Sequence, residues 1–530
     1  METSASFEAA LHDPRQDLVY FPHRHHGFCF QPRRRHGCQN AMGRVTLPTV
    51  RRYALPTCAF LVAFATTWWL SSLRMLFELD WDNAAHLYHL HVNQRAGGPW
   101  GAGYTAHVAL LPLYSVGVQV VRLFGGSALD GVRLINAFGI SLATALIAHL
   151  LRAHQVRIVP TLLTCMMWLT AANTVFLVRT IEDDCVGLAV QAATAWALFQ
   201  PSAPRLGRAS LAGAVLAAGC LTNYACIVWL PVVLVWALVA EAPSIRLRLG
   251  RPLVAAVAFL LVVILWGSWT VYATRDFTWR TYLAMLVTSP NGTVGSRANQ
   301  WDFIAYFARN LPHMLIPVPG GRPIMAGPSL AKSLTWLAAV ALVAGTLWPW
   351  RRGLRRVTPR GRAFSLACLA AIVCGIPAAL KNDWTVHERL DHLPLLGAVL
   401  AGFWIARAQR TRHLVSQWLP SVLVAACLFF HLRAIALIAP DASWLATFAR
   451  SRKANSNATA LLYAESEFTS SNYNKIVSAV LTPGVRILSP RGAAGSWPIP
   501  PPGLLLVDDW KRGPLPGAWL STPALALVAH

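Results

Sequence analysis

Acidic residues are scarce in this sequence. The chain of 530 residues has 22 Asp and Glu against 46 Lys and Arg, which gives a formal net charge of +24. Charged residues of both signs make up 13% of the sequence, compared with about 25% in a typical soluble domain. Hydrophobic residues make up 55%. This balance excludes a soluble multidomain protein and is typical of a polytopic membrane protein.

Several common functional motifs are also absent. The 10 cysteines are scattered, mostly inside apolar runs, and show no spacing of a disulfide framework or a zinc site. No Walker loop, GxSxG elbow, HExxH or kinase motif set is present, so nucleotide-driven work and serine hydrolysis have no support. The basic residues are short Arg clusters between apolar runs rather than one continuous basic face. This pattern follows the positive-inside rule and argues against nucleic-acid binding.

Apolar runs recur along most of the chain, and about 20 such residues in a helix cross a hydrocarbon core of roughly 30 Å. Backbone groups in lipid must be bonded within their own segment, so the runs predict an all-α polytopic membrane protein. Assigning the Arg clusters to the cytoplasm predicts eleven crossings, with the N-terminus inside and the C-terminus outside. The predicted spans are 54–74, 133–151, 158–178, 185–200, 208–223, 225–241, 252–272, 331–349, 363–380, 393–406 and 414–437.

One further apolar stretch, residues 107–124, conflicts with this topology. If it crossed the membrane, every later Arg cluster would change sides. We therefore predict that it forms a re-entrant or interfacial helix on the outer side, in keeping with its Pro112 and the neighbouring Tyr104 and His107. If it does cross, a weaker neighbour such as 208–223 must fail to cross.

The topology divides the chain into three predicted parts. Residues 1–53 form a basic cytoplasmic tail, and residues 54–437 form the transmembrane region with large outer loops at 75–132 and 273–331. Residues 440–530 contain short apolar runs separated by Gly and Pro, which predict a small α/β domain outside the cytoplasm.

Beyond the N-terminal tail, nearly all carboxylates fall on the predicted outer side. They include two tight clusters at span ends, which the positive-inside rule does not explain. The alternative interpretation is that these clusters are ordinary surface carboxylates without a catalytic role. A carboxylate at a partly desolvated interface, with a second one nearby, has a raised pKa, which suits a general base acting on a hydroxyl. The candidates are Asp80 and Asp82 in the first cluster and Glu182, Asp183 and Asp184 in the second.

A base of this kind implies an anionic leaving group that needs a cation. Arg389 and Lys381 are predicted to face outward and are candidates for that role. An ion pair of Arg389 with Glu388 or Asp391 is an equal alternative.

Histidines follow the first acidic cluster. His86 and His89, with Asp80, have the nitrogen and oxygen donors that could bind a divalent metal ion. Polar residues on an interfacial helix are the plainer interpretation, and the sequence indicates no other cofactor.

The order of these features resembles the GT-C superfamily of polytopic glycosyltransferases, especially the bacterial branch related to protein mannosyltransferases and lipid A aminoarabinose transferases. The resemblance covers about residues 54–410. It is carried by four stretches: Asp80-Trp81-Asp82-Asn83-Ala84-Ala85-His86, the segment 107–133 with Leu111-Pro112-Leu113-Tyr114, Leu123-Phe124-Gly125 and then Arg133-Leu134, the break Leu221-Thr222-Asn223-Tyr224, and Glu388-Arg389-Leu390 before Leu393-Pro394.

The resemblance implies transfer of a sugar from a polyprenyl-phosphate carrier to a lipid, glycan or protein acceptor on the outer face of a membrane, with inversion at the anomeric carbon. Asp82 would be the base, and Arg389 with loop residues such as Arg280 would stabilise the phosphate. A bacterial inner membrane is the expected location. Two departures from the family pattern are Asn83 in place of a second acidic residue and Asn223 in place of Lys, so Asp80 or the cluster 182–184 would supply the partner carboxylate.

Two other functions compete with this one. A transporter or lipid-carrier flippase should have ionisable residues or broken helices near the bilayer midplane and related halves, and the sequence shows no acid inside a span and no evident repeat. A non-catalytic scaffold for envelope assembly would leave the acidic clusters replaceable.

Overall fold

The structure is a computed structural model that describes part of the chain. The protein divides into two compact units, Met1–Val50 and Arg51–His530, and the first contributes only the start of one helix to the described part. The described residues are 47–72, 109–126, 128–178, 184–200, 206–240, 244–273, 278–280, 282–283, 337, 340–341, 366, 369–370, 372–373, 392–409, 414–436, 459–462, 486–487, 504–509, 518–521 and 525–529.

Helices account for most of the described residues. A 3-10 helix, Tyr224–Val228, connects two of them. The α-helices are α1 (Leu47–Ser72), α2 (Leu110–Arg122), α3 (Ala128–Ala153), α4 (Ile158–Leu169), α5 (Ala172–Val178), α6 (Asp184–Phe199), α7 (Leu206–Thr222), α8 (Trp229–Val239), α9 (Ile245–Ala273), α10 (His392–Ala408) and α11 (Leu414–Ala436).

These helices coincide with all the predicted spans except 331–349 and 363–380, where only scattered residues are described. Within the described part, three helices are long and apolar enough to cross a membrane: α1, α3 and α9. The other apolar helices are shorter, at 10–17 residues over their apolar parts. The polytopic helical architecture is therefore as predicted, whereas eleven crossings stays a prediction.

Helix α9 begins seven residues before the predicted span at 252. Ser244 caps it: its hydroxyl accepts a hydrogen bond from the Leu247 amide at 3.2 Å, which satisfies one of the free amides of the first turn. The Arg251 guanidinium donates to the Ala240 carbonyl at 3.0 Å and is buried. The helix therefore extends beyond the apolar run into the basic segment.

The predicted span 158–178 is interrupted. Helix α4 ends at Leu169, and α5 begins at Ala172. The Thr170 amide makes the last regular helical bond, to the Met166 carbonyl at 2.9 Å. The Thr170 hydroxyl donates to the same carbonyl at 2.7 Å, a local side-chain bond that competes with continuation of the helix. The break after Leu221-Thr222 is confirmed, since α7 ends at Thr222 and the 3-10 helix follows.

Contacts at the two ends of α3 define the two ends of the bundle. At the end of α3 that holds His149, Tyr53 of α1 stacks on that imidazole at 5.8 Å, and Trp196 of α6 donates to it at 2.9 Å. At the other end, the Arg133 side chain bonds Ser71 of α1. We call these the His149 end and the Arg133 end.

The helices differ in how far they reach toward the Arg133 end. A Cβ on Gly139 would lie 2.6 Å from the Cys185 carbonyl oxygen, so α6 begins beside a residue eleven positions into α3, roughly 16 Å from the start of that helix. Leu221, in the last turn of α7, lies in one apolar cluster with Val263 of α9. Helix α9 continues for ten residues beyond Val263, so it extends roughly 15 Å farther than α7 toward the Arg133 end. Helices α3 and α9 thus extend beyond α6 and α7.

Helix α2 occupies part of the space above these shorter helices. It packs antiparallel to the first part of α3, where a Cβ on Gly117 would lie 2.5 Å from the Gly131 carbonyl oxygen. Its preceding residue, Ala109, donates its amide to the Leu221 carbonyl at 3.0 Å. With 13 residues, α2 is roughly 20 Å long, less than a hydrocarbon core of about 30 Å.

The described residues after Ala436 form a five-stranded mixed sheet in the order β2-β1-β3-β5-β4. Strand β1 pairs in parallel with β2 and β3, and β5 pairs antiparallel with β3 and β4. The first three strands coincide with short apolar runs of the C-terminal sequence, at 460–463, 485–488 and 504–507. The strands are β1 (Thr459–Leu462), β2 (Arg486–Ile487), β3 (Leu504–Asp509), β4 (Ala518–Ser521) and β5 (Leu525–Ala529).

Candidate functional site

Most of the predicted site residues lie outside the described part of the chain. Asp184 is described as the first residue of α6, and Arg280 is described as an exposed residue after α9. The position of the site is therefore inferred from the described helix ends that flank the other predicted residues. Outside the described part are Asp80, Asp82, His86, His89, Glu182, Asp183, Lys381 and Arg389.

The helix ends that flank the candidate segments lie at the Arg133 end of the bundle. The first acidic segment leaves α1 after Ser72, next to the Ser71–Arg133 contact, and returns at Ala109, which bonds Leu221. Helix α6 begins at the second acidic cluster, and a Cβ on Gly187 in its first turn would lie 3.0 Å from Asn223. Leu221 and Asn223 are two positions apart, so the end of the first segment and the start of α6 contact the same short stretch of chain, at the C-terminal end of α7 and directly after it.

The segment with Lys381 and Arg389 also ends on this side. It precedes α10, whose direction is set by contacts near its C-terminus. Phe403 meets His154 edge-on with ring centroids 4.4 Å apart. His154 in turn is bonded to the Phe199 carbonyl at the His149 end. The start of α10 at His392 therefore points toward the Arg133 end, and the structure brings the flanks of all three candidate segments to one side of the bundle.

Arg133 is a residue that the sequence analysis did not assign to the site. Its Nη1 donates to the Asp130 carboxylate at 3.0 Å, and its Nε donates to the Ser71 hydroxyl at 3.1 Å. The guanidinium carbon lies 4.8 Å from the centre of the Trp68 ring, within the range of a cation–π interaction. The sequence feature that could have indicated Arg133 is the Arg133-Leu134 pair, which is part of the resemblance described above.

A buried polar contact links α2 to α3 next to this site. The Tyr114 hydroxyl donates to the Asn136 side-chain oxygen at 3.0 Å, and both residues are buried. Buried polar groups of this kind must be bonded to be tolerated. The contact fixes the rotation of α2 about its own axis, and thereby the direction in which the chain enters it at Ala109.

The stretch after α9 returns alongside that helix. Tyr282 is fully buried and donates its hydroxyl to the Val263 carbonyl at 2.8 Å. A Cβ on Gly267 would lie 2.5 Å from the Tyr282 ring, so glycine makes room for it. Burial raises the pKa of Tyr282. Tyr282 also belongs to the apolar cluster of Ala109 and Leu221, so the two predicted outer loops, 75–132 and 273–331, meet there.

Among the residues that the structure describes, no group of three His, Cys, Asp or Glu side chains could hold a metal ion. His86 and His89 are not among these residues, so the predicted metal ligands stay a prediction. Asn223, which stands where the family has Lys, is buried against Gly187.

The sequence matches no protein-family model, and no curated protein matches it significantly. The structure is similar to crystal structures of ArnT from Cupriavidus metallidurans, one bound to undecaprenyl phosphate and one in the apo state. Each aligns with a TM-score of 0.53 and 13% identity over 89% of this chain and 97% of that chain.

An oligosaccharyltransferase from Archaeoglobus fulgidus aligns with a TM-score of 0.43 and 11% identity over 82% of this chain and 63% of that chain, which is too weak to carry an argument. The likeness to ArnT is a likeness of fold, and this fold agrees with the one implied by the resemblance found in the sequence.

Proposed function

We propose that this chain, which has the fold of the transferase ArnT, is a membrane-embedded glycosyltransferase. It moves a sugar from a polyprenyl-phosphate donor to a lipid, glycan or protein acceptor at the Arg133 end of the bundle. The observation that carries the proposal is the fold shared over 89% of this chain with an enzyme crystallised with undecaprenyl phosphate. The flanks of the acidic and cationic segments, which meet at one end, support it.

In the proposed reaction an acceptor hydroxyl attacks the anomeric carbon, and the bond from that carbon to the phosphate oxygen breaks with inversion. Asp82 accepts the proton of the hydroxyl. Arg389, Lys381 and Arg280 stabilise the charge that develops on the departing polyprenyl phosphate. Water is a competing acceptor, so the site must exclude it.

A second carboxylate supports the base, and the fold favours the cluster at 182–184 for this role. Asp184 begins α6, whose first turn contacts Asn223 directly after α7. The first acidic segment ends at Ala109, which is bonded to Leu221 in the last turn of α7. Asp80 is the alternative partner, because it is two positions from Asp82 in the sequence.

The proposal includes an orientation. The Arg133 end faces outward in a bacterial inner membrane, with the N-terminus in the cytoplasm and the C-terminal sheet as part of a small extracytoplasmic α/β domain. Eleven crossings and a re-entrant α2 are part of it. Helix α2 extends only from the level of Leu221, whose carbonyl bonds Ala109, to the first part of α3, and this position supports the re-entrant assignment.

The experiment is an assay of sugar transfer in membranes with a panel of polyprenyl-phosphate sugars, for wild type and Asp82→Asn. We expect the substitution to lower transfer by about 100-fold or more, because it removes a general base. Glu241→Gln is the matched control, since it neutralises a carboxylate predicted on the inner side. Full activity of Asp82→Asn would refute the base assignment, and no transfer by wild type with any donor would refute the proposed reaction.

A lipid-carrier flippase is a second candidate because of one buried site. His431 of α11 is buried and lies 3.4 Å from the Thr170 hydroxyl, at the interruption between α4 and α5. Ionisable residues and broken helices inside a membrane are features of transport pathways. Movement of a fluorescent polyprenyl phosphate across vesicles by wild type, abolished in His431→Leu, would favour this function.

A further inference from the structure

Helix α1 is attached to α3 at three levels. At the His149 end Tyr53 stacks on His149, and near the middle Phe60 meets Phe138 edge-on with centroids 5.4 Å apart. At the Arg133 end the contact is polar and involves Arg133. The first two contacts are aromatic and tolerate sliding or rotation of one helix against the other. The third is directional, because it uses hydrogen bonds and a ring face at once.

The Ser71 hydroxyl is fully used in this contact. It accepts from Arg133 Nε at 3.1 Å and donates to the Trp68 carbonyl at 2.8 Å in the last turn of α1. The Trp68 carbonyl lies three residues before Ser71, so this local bond fixes the rotamer in which Ser71 presents its oxygen to Arg133. Arg133 thereby holds the position of the end of α1.

The ion pair with Asp130 does not explain why arginine is present. Asp130 and Arg133 are three positions apart on α3, and a pair of this spacing contributes only about 0.2–0.5 kcal/mol. The Arg133 side chain is 15% exposed, so its charge is largely desolvated, which an apolar residue of similar size would avoid. What an apolar residue cannot supply is the planar, multidirectional donor geometry that reaches Asp130 and Ser71 together.

We infer that Arg133 is a positioning residue of the proposed transfer reaction. It fixes the end of α1, and thereby the point from which the segment with Asp80 and Asp82 leaves the bundle, eight and ten residues after Ser72. The other end of that segment is fixed where Ala109 bonds Leu221. The inference rests on the proposed function, in which Asp82 is the base. Misplacing a catalytic group by about 1 Å lowers a rate by about 100-fold.

The test is steady-state kinetics of Arg133→Met and Ser71→Ala. We expect kcat to fall by about 10- to 100-fold in the first and by a smaller factor in the second, with the KM for the donor unchanged. Arg133→Lys should fail to restore kcat, because an ammonium group cannot reach both partners in fixed geometry. Arg152→Met is the matched control, since Arg152 lies on the same helix at the His149 end and bonds the Val156 carbonyl.

Each contrary outcome has its own meaning. A raised KM for the donor with unchanged kcat would make Arg133 a binding residue and overturn the inference. An unchanged kcat in Ser71→Ala would overturn it too, even if Arg133→Met fails to fold. If these variants keep their activity while Asp82→Asn loses it, the inference is wrong and the proposed function stands.

A measurement that does not depend on activity completes the test. Spin labels at Trp69→Cys on α1 and Leu123→Cys after α2, both at exposed positions, report the distance between the end of α1 and the turn before α3. We expect a narrow distribution in the otherwise wild-type protein and a broadened one after Arg133→Met or Ser71→Ala. Equal widths would overturn the inference even if wild type transfers no sugar.

Discussion

Helices α3 and α9 look alike in the sequence and differ in the fold. They have 26 and 29 residues, and both are long and apolar enough to cross a membrane. Over their candidate spans, however, 61% of α3 is buried inside the protein and only 17% of α9. Length and apolarity thus identify a crossing helix but do not say whether it lies in the core or at the lipid boundary.

Polar residues mark the difference. Along α3, Asn136, Ser141 and Thr144 are buried, and the two hydroxyls donate to carbonyls four residues earlier in the helix. Helix α9 exposes leucines and isoleucines around most of its surface and buries a single stripe that includes Ala255 and Val263. Lipid solvates leucine as well as a protein core does, so packing in membranes depends on close approach and polar contacts.

The largest effect is expected from glycine in the α2–α3 contact. A Cβ on Gly131 would lie 2.5 Å from the Val118 backbone, so Gly131→Leu should separate the helices and reduce stability by about 3 kcal/mol or more. Gly250→Leu on α9 is the control, because the nearest side-chain atom is 3.7 Å away. Thermal unfolding in detergent measures both, and equal losses would break the contrast between the helices.

Truncation of large side chains is expected to have the next effect. Ile140 on α3 has no exposed surface, whereas Leu261 on α9 is 53% exposed. Ile140→Ala should reduce the free energy of unfolding by about 2–3 kcal/mol through cavity formation, and Leu261→Ala by about 0.5 kcal/mol or less. A large loss in the second variant would mean that α9 packs against protein on its outer face.

The smallest effect concerns the Tyr114–Asn136 contact. A double-mutant cycle of Tyr114→Phe and Asn136→Ala should give a coupling energy of about 1 kcal/mol, as for other hydrogen bonds between membrane helices. Tyr282→Phe, in the stretch after α9, removes a comparable hydroxyl bond to the Val263 carbonyl of that helix and provides the matching measurement on the buried side of α9. A coupling energy near zero would show that α2 is held by glycine packing alone.

The sequence predicted the helices well and their contacts poorly. Apolar runs located most of the helices, and the break at Asn223 was visible as a polar residue between two runs. The interruption at Thr170 was missed because the apolar run continues through it. The early start of α9 was missed because Ser244, which caps the helix, lies in the polar and basic segment between the predicted spans 225–241 and 252–272. These features depend on single hydrogen bonds that hydrophobicity does not record.

The candidate site was predicted unevenly for a similar reason. The acidic clusters stood out as rare residues in a basic chain, and the fold brings their flanking helices together. The contacts of Arg133 with Ser71 and Trp68 could not be predicted from the sequence, because these partners are about sixty positions away. The predicted roles of Asp82 and Arg389 stay predictions.

Helix α2 has a consequence for synthesis of the protein. It precedes α3 in the chain, and at roughly 20 Å it is shorter than a hydrocarbon core of about 30 Å. Its glycine face has no matching surface until Gly131 has emerged from the ribosome. The two helices are separated by a short turn with Gly125 at φ +75, so they can close as a hairpin as soon as α3 is made. The part of the bundle toward the Arg133 end is thus completed only when α3 has been made and α2 can pack against it.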